Sequence, residues 1–198
     1  MHTHSSPTET LEAEHRLIQR VVATMAQIAD AVEQGRVVEV PVLRELVRFL
    51  KTFGDECHHA KEETALFPML ELKGVPLAGC PVAVLHNDHL KGRVLVGELS
   101  DAIEAYAAED RSGRRSVIPA LRALVAFYPD HIWKEDYLLF PLARKVLSSM
   151  DERILTQHFE QLEAGVGSGA HQRYEQFVKE LELATSGRHE PCPACRAE

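Results

Sequence analysis

Two stretches of the chain set an imidazole and a carboxylate one helical turn apart. The first is His58-His-Ala-Lys-Glu62-Glu63-Thr-Ala-Leu-Phe-Pro68. The second, 73 residues later, is His131-Ile-Trp-Lys-Glu135-Asp136-Tyr-Leu-Leu-Phe-Pro141. On a helix, residues i and i+4 lie on one face, so His58 stands over Glu62 and His131 over Glu135. An imidazole and a carboxylate placed in this way bind metal ions, and the carboxylate can bridge two of them. Two further histidines also match. His15, in Ala13-Glu-His-Arg, and His89, in Asn87-Asp-His-Leu, lie 74 residues apart. Repeated segments tend to take corresponding places in a fold, and the chain reads as two helix pairs about a pseudo-two-fold axis.

A single His-x-x-x-Glu pair is common on a solvated helix and would carry little. Two matched pairs with two matched lone histidines carry a metal site. Both His58 with Glu62 and His59 with Glu63 have the spacing, but only the first pair has a full counterpart, because Ile132 stands opposite His59. The repeat therefore selects His15, His58, Glu62, His89, His131 and Glu135 as ligands and sets His59 aside. Glu63 and Asp136 follow the bridging candidates. They read either as solvated acids or as acceptors of a hydrogen bond from a ligand histidine. Cys57 adjoins a ligand and reads as buried packing. His189-x-x-Cys192-x-x-Cys195 is half of a metal knuckle in a tail expected to lie in solvent.

Four long amphipathic helices are needed to bring these residues together. Apolar residues recur at helical spacing from Glu9 to Glu33, with Thr8 or Thr10 as the cap, and again from Pro41 to Glu71, where Pro68 should kink or end the helix. A third helix is expected from Pro81 to Ala108. After a charged turn, Glu109 to Arg115, a fourth runs from Ser116 to Ser149. Shorter helices follow at Asp151 to Glu163 and, past a glycine-rich break, at Ala170 to Thr185. Nothing alternates as a strand does. The expected fold is all-α, an antiparallel four-helix bundle of two pseudo-repeated helix pairs plus C-terminal helices. Its parts are a mobile N-terminus (1–8), the bundle (9–149), a helical extension (150–186) and a mobile tail (187–198). On this layout the four histidines differ in height by at most about 6 Å, at about 1.5 Å per residue, so one level of the bundle core can hold them all.

Composition narrows the function further. The net charge of −8 disfavours nucleic acid as a partner. No apolar run is long enough for a membrane span, and the first residues do not form a secretory signal. Four scattered cysteines suit a reducing compartment, so a cytoplasmic location is expected. No feature of the sequence marks an oligomeric state.

Together the segments around His15, His58 to Glu63, Asp88-His-Leu-Lys-Gly-Arg93 and His131 to Asp136 resemble the hemerythrin-like HHE cation-binding family. The resemblance covers roughly residues 9 to 148, and the region after 150 resembles the tail of longer members. It implies a four-helix bundle with a non-haem di-iron site that binds or reacts with dioxygen, hydrogen peroxide or nitric oxide. Imidazole with carboxylate suits iron, and manganese fits the same donors. The rival di-metal bundle, ferritin-like, uses Glu-x-x-His with Glu first; in the matched pairs here His comes first and Glu follows by four, and Glu12-x-x-His15 reads as coincidence or as a residue beside the site. Oxygen-carrying hemerythrins have a fifth histidine on the third helix, four residues before its partner. Here His86 precedes His89 by three and reads as a ligand, a donor beside the site or a surface residue. Without a fifth ligand one metal would keep a more open position, which favours chemistry over reversible carriage. The alternative is an iron- or oxygen-sensing or iron-storage module without catalysis.

Overall fold

Ser6 starts the first helix. Its side chain accepts a hydrogen bond from the Glu9 N–H, and the Glu9 carboxylate accepts one from the Ser6 N–H, so two of the unpaired donors of a helix start are satisfied reciprocally. In this computed structural model, which describes residues 5–108, 111–167 and 169–186, α1 therefore spans Pro7–Glu33. It begins ahead of the expected threonine caps, with Pro7 and Thr8 buried in its first turn. Gly35, at φ 79°, turns the chain out of it.

The second bundle helix is continuous but changes its winding: α2 (Val40–Phe49), π1 (Leu50–His59), π2 (Glu62–Leu66) and α3 (Phe67–Leu72). The third is α4 (Val82–Ala107). The fourth runs α5 (Arg111–Lys134), π3 (Glu135–Leu139) and α6 (Phe140–Val146). Two helices close the described chain, α7 (Ser149–Val166) and α8 (Ala170–Ser186). The fourth helix thus starts inside the expected charged turn, of which residues 109 and 110 lie outside the described residues. So do residues 1–4, with His2 and His4, and the tail 187–198, with His189, Cys192 and Cys195. The expected glycine-rich break is shorter than its sequence: α7 continues through Gly165 and ends at Gly167, whose φ of 117° suits only glycine.

Pro68 and Pro141 neither break nor end their helices. A proline lacks the N–H that would bond four residues back, and its ring crowds that carbonyl. Here the turn before each proline is widened instead. The Phe67 N–H reaches the Glu62 carbonyl and the Phe140 N–H reaches the Glu135 carbonyl, each five residues back. The two π turns sit at repeat-equivalent positions, and each starts on a bridging candidate.

Cross-helix pairs give the topology. Thr8 and Glu12 meet Arg144, His15 meets Asp136, and Asp30 and Glu33 meet Arg122, so α1 runs antiparallel to the fourth helix. Arg44 with Glu104, Asp55 with Arg93 and Glu63 with His89 show the same for the second and third helices. Two apolar clusters fill the bundle. The larger contains Met25, Phe53, Leu99 and Leu121; the smaller contains Leu11, Leu70, Leu85 and Phe140. The buried histidines form a polar layer between them. On the outside of α1 and the end of α2, Arg20 pairs with Glu182 of α8, and Phe177 and Tyr174 of α8 pack on Phe49. Among the described residues no helix is long and apolar enough to cross a membrane.

Candidate metal centre

The four helices bring seven buried donors into two adjoining groups. His15, His58, Glu62 and Glu135 form one; His59, His89 and His131 form the other. Within each group the donor atoms lie within 4.8 Å of one another. The carboxylates link the groups. Glu135 places Oε2 3.0 Å from His15 Nε2, and its Oε1 3.3 Å from both His89 Nε2 and His131 Nε2. Glu62 Oε2 is 3.3 Å from His89 Nε2. All six ligands expected from the repeat are in this cluster.

The structure also brings in His59, which the repeat leaves unmatched because Ile132 stands opposite it: it is 4% exposed and stacks on His89 at 3.9 Å between ring centroids. Neighbouring residues on a helix normally face different ways, but His58 and His59 flank the direction that Glu62 takes into the core, at the end of the widened π1 segment. Each imidazole serves a different group. Asp55, one turn earlier, accepts from His59 Nδ1 at 3.2 Å. His86 is not part of the cluster: its side chain is 54% exposed and its Nδ1 is 4.0 Å from Glu63. Glu12 does not face the centre and instead pairs with Arg144.

A ring of acidic residues surrounds the imidazoles and joins each helix to the next. Glu14 of α1 accepts from His58 Nδ1 at 2.8 Å, Glu63 of π2 accepts from His89 Nδ1 at 2.7 Å, and Asp136 of π3 accepts from His15 Nδ1 at 2.7 Å. Asp88 of α4 stands 3.8 Å from His131 Nδ1, the widest link. A carboxylate only accepts, so the bonded Nδ1 carries a proton, and Nε2 is left as the ring atom that faces the centre. Glu63 and Asp136 are thus hydrogen-bond acceptors for the lone histidines. Glu14, Asp88, Lys61 and Lys134 were missed, although the repeat held the signal: the acids are 74 residues apart and the lysines 73. The matched phenylalanines complete the pattern. Phe67 stacks on His89 and Phe140 on His15. On the fourth helix Phe127 stacks on His131. Gly92 makes room for it, since a Cβ there would stand 3.2 Å from the Phe127 ring.

Charge in the cluster is unevenly spread. Burial pushes His59 down to about 3 and His131 to about 4, which leaves both neutral. Burial would also lower His15, but its hydrogen bonds to Asp136 and Glu135 outweigh it and raise it to about 10. His89 is likewise raised against burial, by Glu135, Glu62 and Glu63, to about 11. Burial and the charge of Glu135 raise Glu62, whereas the imidazoles around Glu135 outweigh its burial and hold it well below the usual carboxylate range. Among the described residues, five buried side-chain polar atoms have no hydrogen bond of good geometry: both oxygens of Glu62, both ring nitrogens of His131, and Oε2 of Glu135, which meets His15 Nε2 only as an ion pair. Buried polar groups are rarely left so, and all five belong to candidate ligands. A pair of cations would satisfy the inward-facing ones together. The donors are imidazole and carboxylate without thiolate, since Cys57 lies outside both groups, and this set suits iron or manganese better than a structural zinc.

Metal uptake should therefore release protons. Coordination needs the Nε2 lone pairs of His15 and His89, which the surrounding acids keep protonated near neutrality. Titrating metal-free protein at pH 7.5 in weak buffer with an indicator dye should release at least about two protons per chain, any proton held by Glu62 adding to those of the imidazoles, and affinity should rise with pH. Uptake without proton release would show that these two imidazoles are already neutral.

The hemerythrin HHE cation-binding domain family matches residues 6–143 of the chain. The chain is also 28% identical over 152 residues to the uncharacterized proteins Rv1995 of Mycobacterium tuberculosis and Mb2018 of Mycobacterium bovis. Each match covers 77% of this chain and 59% of the relative, so the chain spans about three-fifths of the length of these curated relatives. No solved structure matches it.

Proposed function

Because the chain belongs to the hemerythrin HHE cation-binding family, we propose that its centre holds two iron ions and binds or reacts with dioxygen, hydrogen peroxide or nitric oxide. The observation that carries this reading is the pair of donor groups joined by Glu62 and Glu135, with unpartnered buried atoms turned between them. One ion would be held by His15 and His58, the other by His59, His89 and His131, with the two carboxylates shared. When bound, such a metal pair supplies electrons and Lewis acidity to a small oxidant. The protein's residues supply the frame. The acidic ring fixes the tautomer and orientation of the imidazoles, and Phe67, Phe127 and Phe140 close the rings off from water. The site does not lack a fifth histidine, because His59 takes that place from the second helix. The difference between the halves persists, with two imidazoles on one side and three on the other, and the poorer set at His15 and His58 has more room for an added ligand.

Protein purified from its own host and analysed for metal should carry about two irons per chain. Its optical spectrum should change on adding nitric oxide or peroxide to the reduced protein. Another metal in place of iron would overturn the assignment. Two irons with no spectral response would favour a storage or sensing module.

A further inference from the structure

Lys61 is a charged side chain with no exposed surface, placed between the centre and a helix outside the family domain. Its Nζ bonds to Glu14 Oε1, while Glu14 Oε2 accepts from His58 Nδ1 at 2.8 Å. The same Nζ donates to Glu163 Oε1 of α7 at 2.6 Å and lies 5.6 Å from the centroid of the Phe159 ring, also on α7. The family match ends at residue 143, whereas Glu163 is twenty residues further on. The repeat-equivalent lysine shows what is specific here. Lys134 donates to Asp88 at 2.9 Å and to Asp130 at 2.6 Å, on its neighbouring helix and its own, and its side chain is 22% exposed. One lysine has a local second partner in part-exposed surroundings. The other is sealed by α7 and depends on it.

We propose that Lys61 is a positioning residue that couples α7 to the half of the centre held by His15 and His58: it holds Glu14 against His58 and is itself held by Glu163. The proposal rests on the metal-binding reading. A buried ammonium must keep its acceptors, because unpaired buried charge is costly. If Glu163 is lost, Lys61 is held from one side only, and the Glu14 carboxylate that it carries is less firmly placed against His58. The imidazole is then a weaker and less firmly oriented donor, since such outer partners raise ligand basicity and fix the ring. By linkage the effect is reciprocal: metal in that half steadies α7.

Metal-free full-length protein titrated with Co2+ alone, followed by visible absorption, tests this. Wild type should take up two ions per chain. Glu163→Gln, at a part-exposed position that leaves the core untouched, should weaken one of the two by roughly a few-fold and spare the other. Lys61→Met should weaken the same ion by about 10–100-fold. Co2+ should also slow amide hydrogen exchange around Glu163 in wild type but not in Glu163→Gln. If Lys61→Met fails to fold by circular dichroism, the pair Glu14→Gln with Lys61→Met removes both buried charges at nearly constant shape and should show the same selective loss. Wild-type affinities in the folded variants overturn the proposal. Equal weakening of both ions also overturns it, because Lys61 would then support the fold rather than one half of the centre. A wild-type chain that takes up no Co2+ sinks the metal reading, and this proposal with it, before any variant is compared.

Discussion

His59→Ala is expected to leave the protein with one tightly held metal ion in place of two. His59 is one of three imidazoles in its group, and its ring stacks on His89 and stands edge-on to His131. Loss of an outer hydrogen-bond partner typically weakens a metal by about 10–100-fold, and loss of the ligand itself should cost more. The ion at His15 and His58 keeps its own imidazoles and both carboxylates and should stay. His86→Ala is the matched control: the ring is half exposed and outside both groups, so both ions should remain. Metal analysis after gel filtration, with circular dichroism to show the helices intact, decides the matter. Two ions in folded His59→Ala would reduce His59 to a packing residue, and one ion in His86→Ala would return the fifth ligand to the third helix.

That contrast also shows where the sequence ran out. His15, His58, Glu62, His89, His131 and Glu135 could be found because each has a partner at a constant offset, and helical periodicity set them at one height. The same rule passed over His59, whose counterpart is Ile132. A duplicated scaffold is symmetric in its backbone, but a pair of metals need not be, and an unmatched residue is where the two differ. Glu14 with Asp88 and Lys61 with Lys134 were legible by the same offsets, but lysines and acids on helices so often face solvent that their burial was not anticipated. The π turns could not be read at all. Pro68 and Pro141 announce a local conflict, and only the packed structure shows it resolved by widening a turn rather than breaking the helix. The start of α1 was displaced for a plainer reason: Ser6 with Glu9 makes a better reciprocal cap than either threonine.

Removing the metals is the second large effect. The metal-free protein keeps the Glu62 oxygens and the His131 ring nitrogens buried without a hydrogen bond, and an unsatisfied buried polar group costs about 1–3 kcal/mol. Each ion present at about 1,000 times its dissociation constant adds about 4 kcal/mol to the folded state. For a chain of this size 1 kcal/mol moves the melting temperature by about 2–4 °C. Chelation should therefore lower it by roughly 8–16 °C per ion, with most of the helical signal kept at 25 °C, because the two apolar clusters on either side of the layer remain. Coincident melting curves with and without chelator would place the ions at the periphery.

The acidic ring bears on the order of events during folding. Its link between His15 and Asp136 joins residues 121 apart in sequence, and neither donor group is complete within one helix pair: the first needs Glu135 from the last helix, and the second needs His59 from the second. An ion has no finished local cradle to gather around early, while the chain is still open. It engages fully only after the last helix has docked, so its contacts are expected to form after the rate-limiting step. Metal should therefore change the refolding rate little and slow unfolding strongly, so that the loaded protein owes its persistence to the difficulty of opening rather than to the speed of closing.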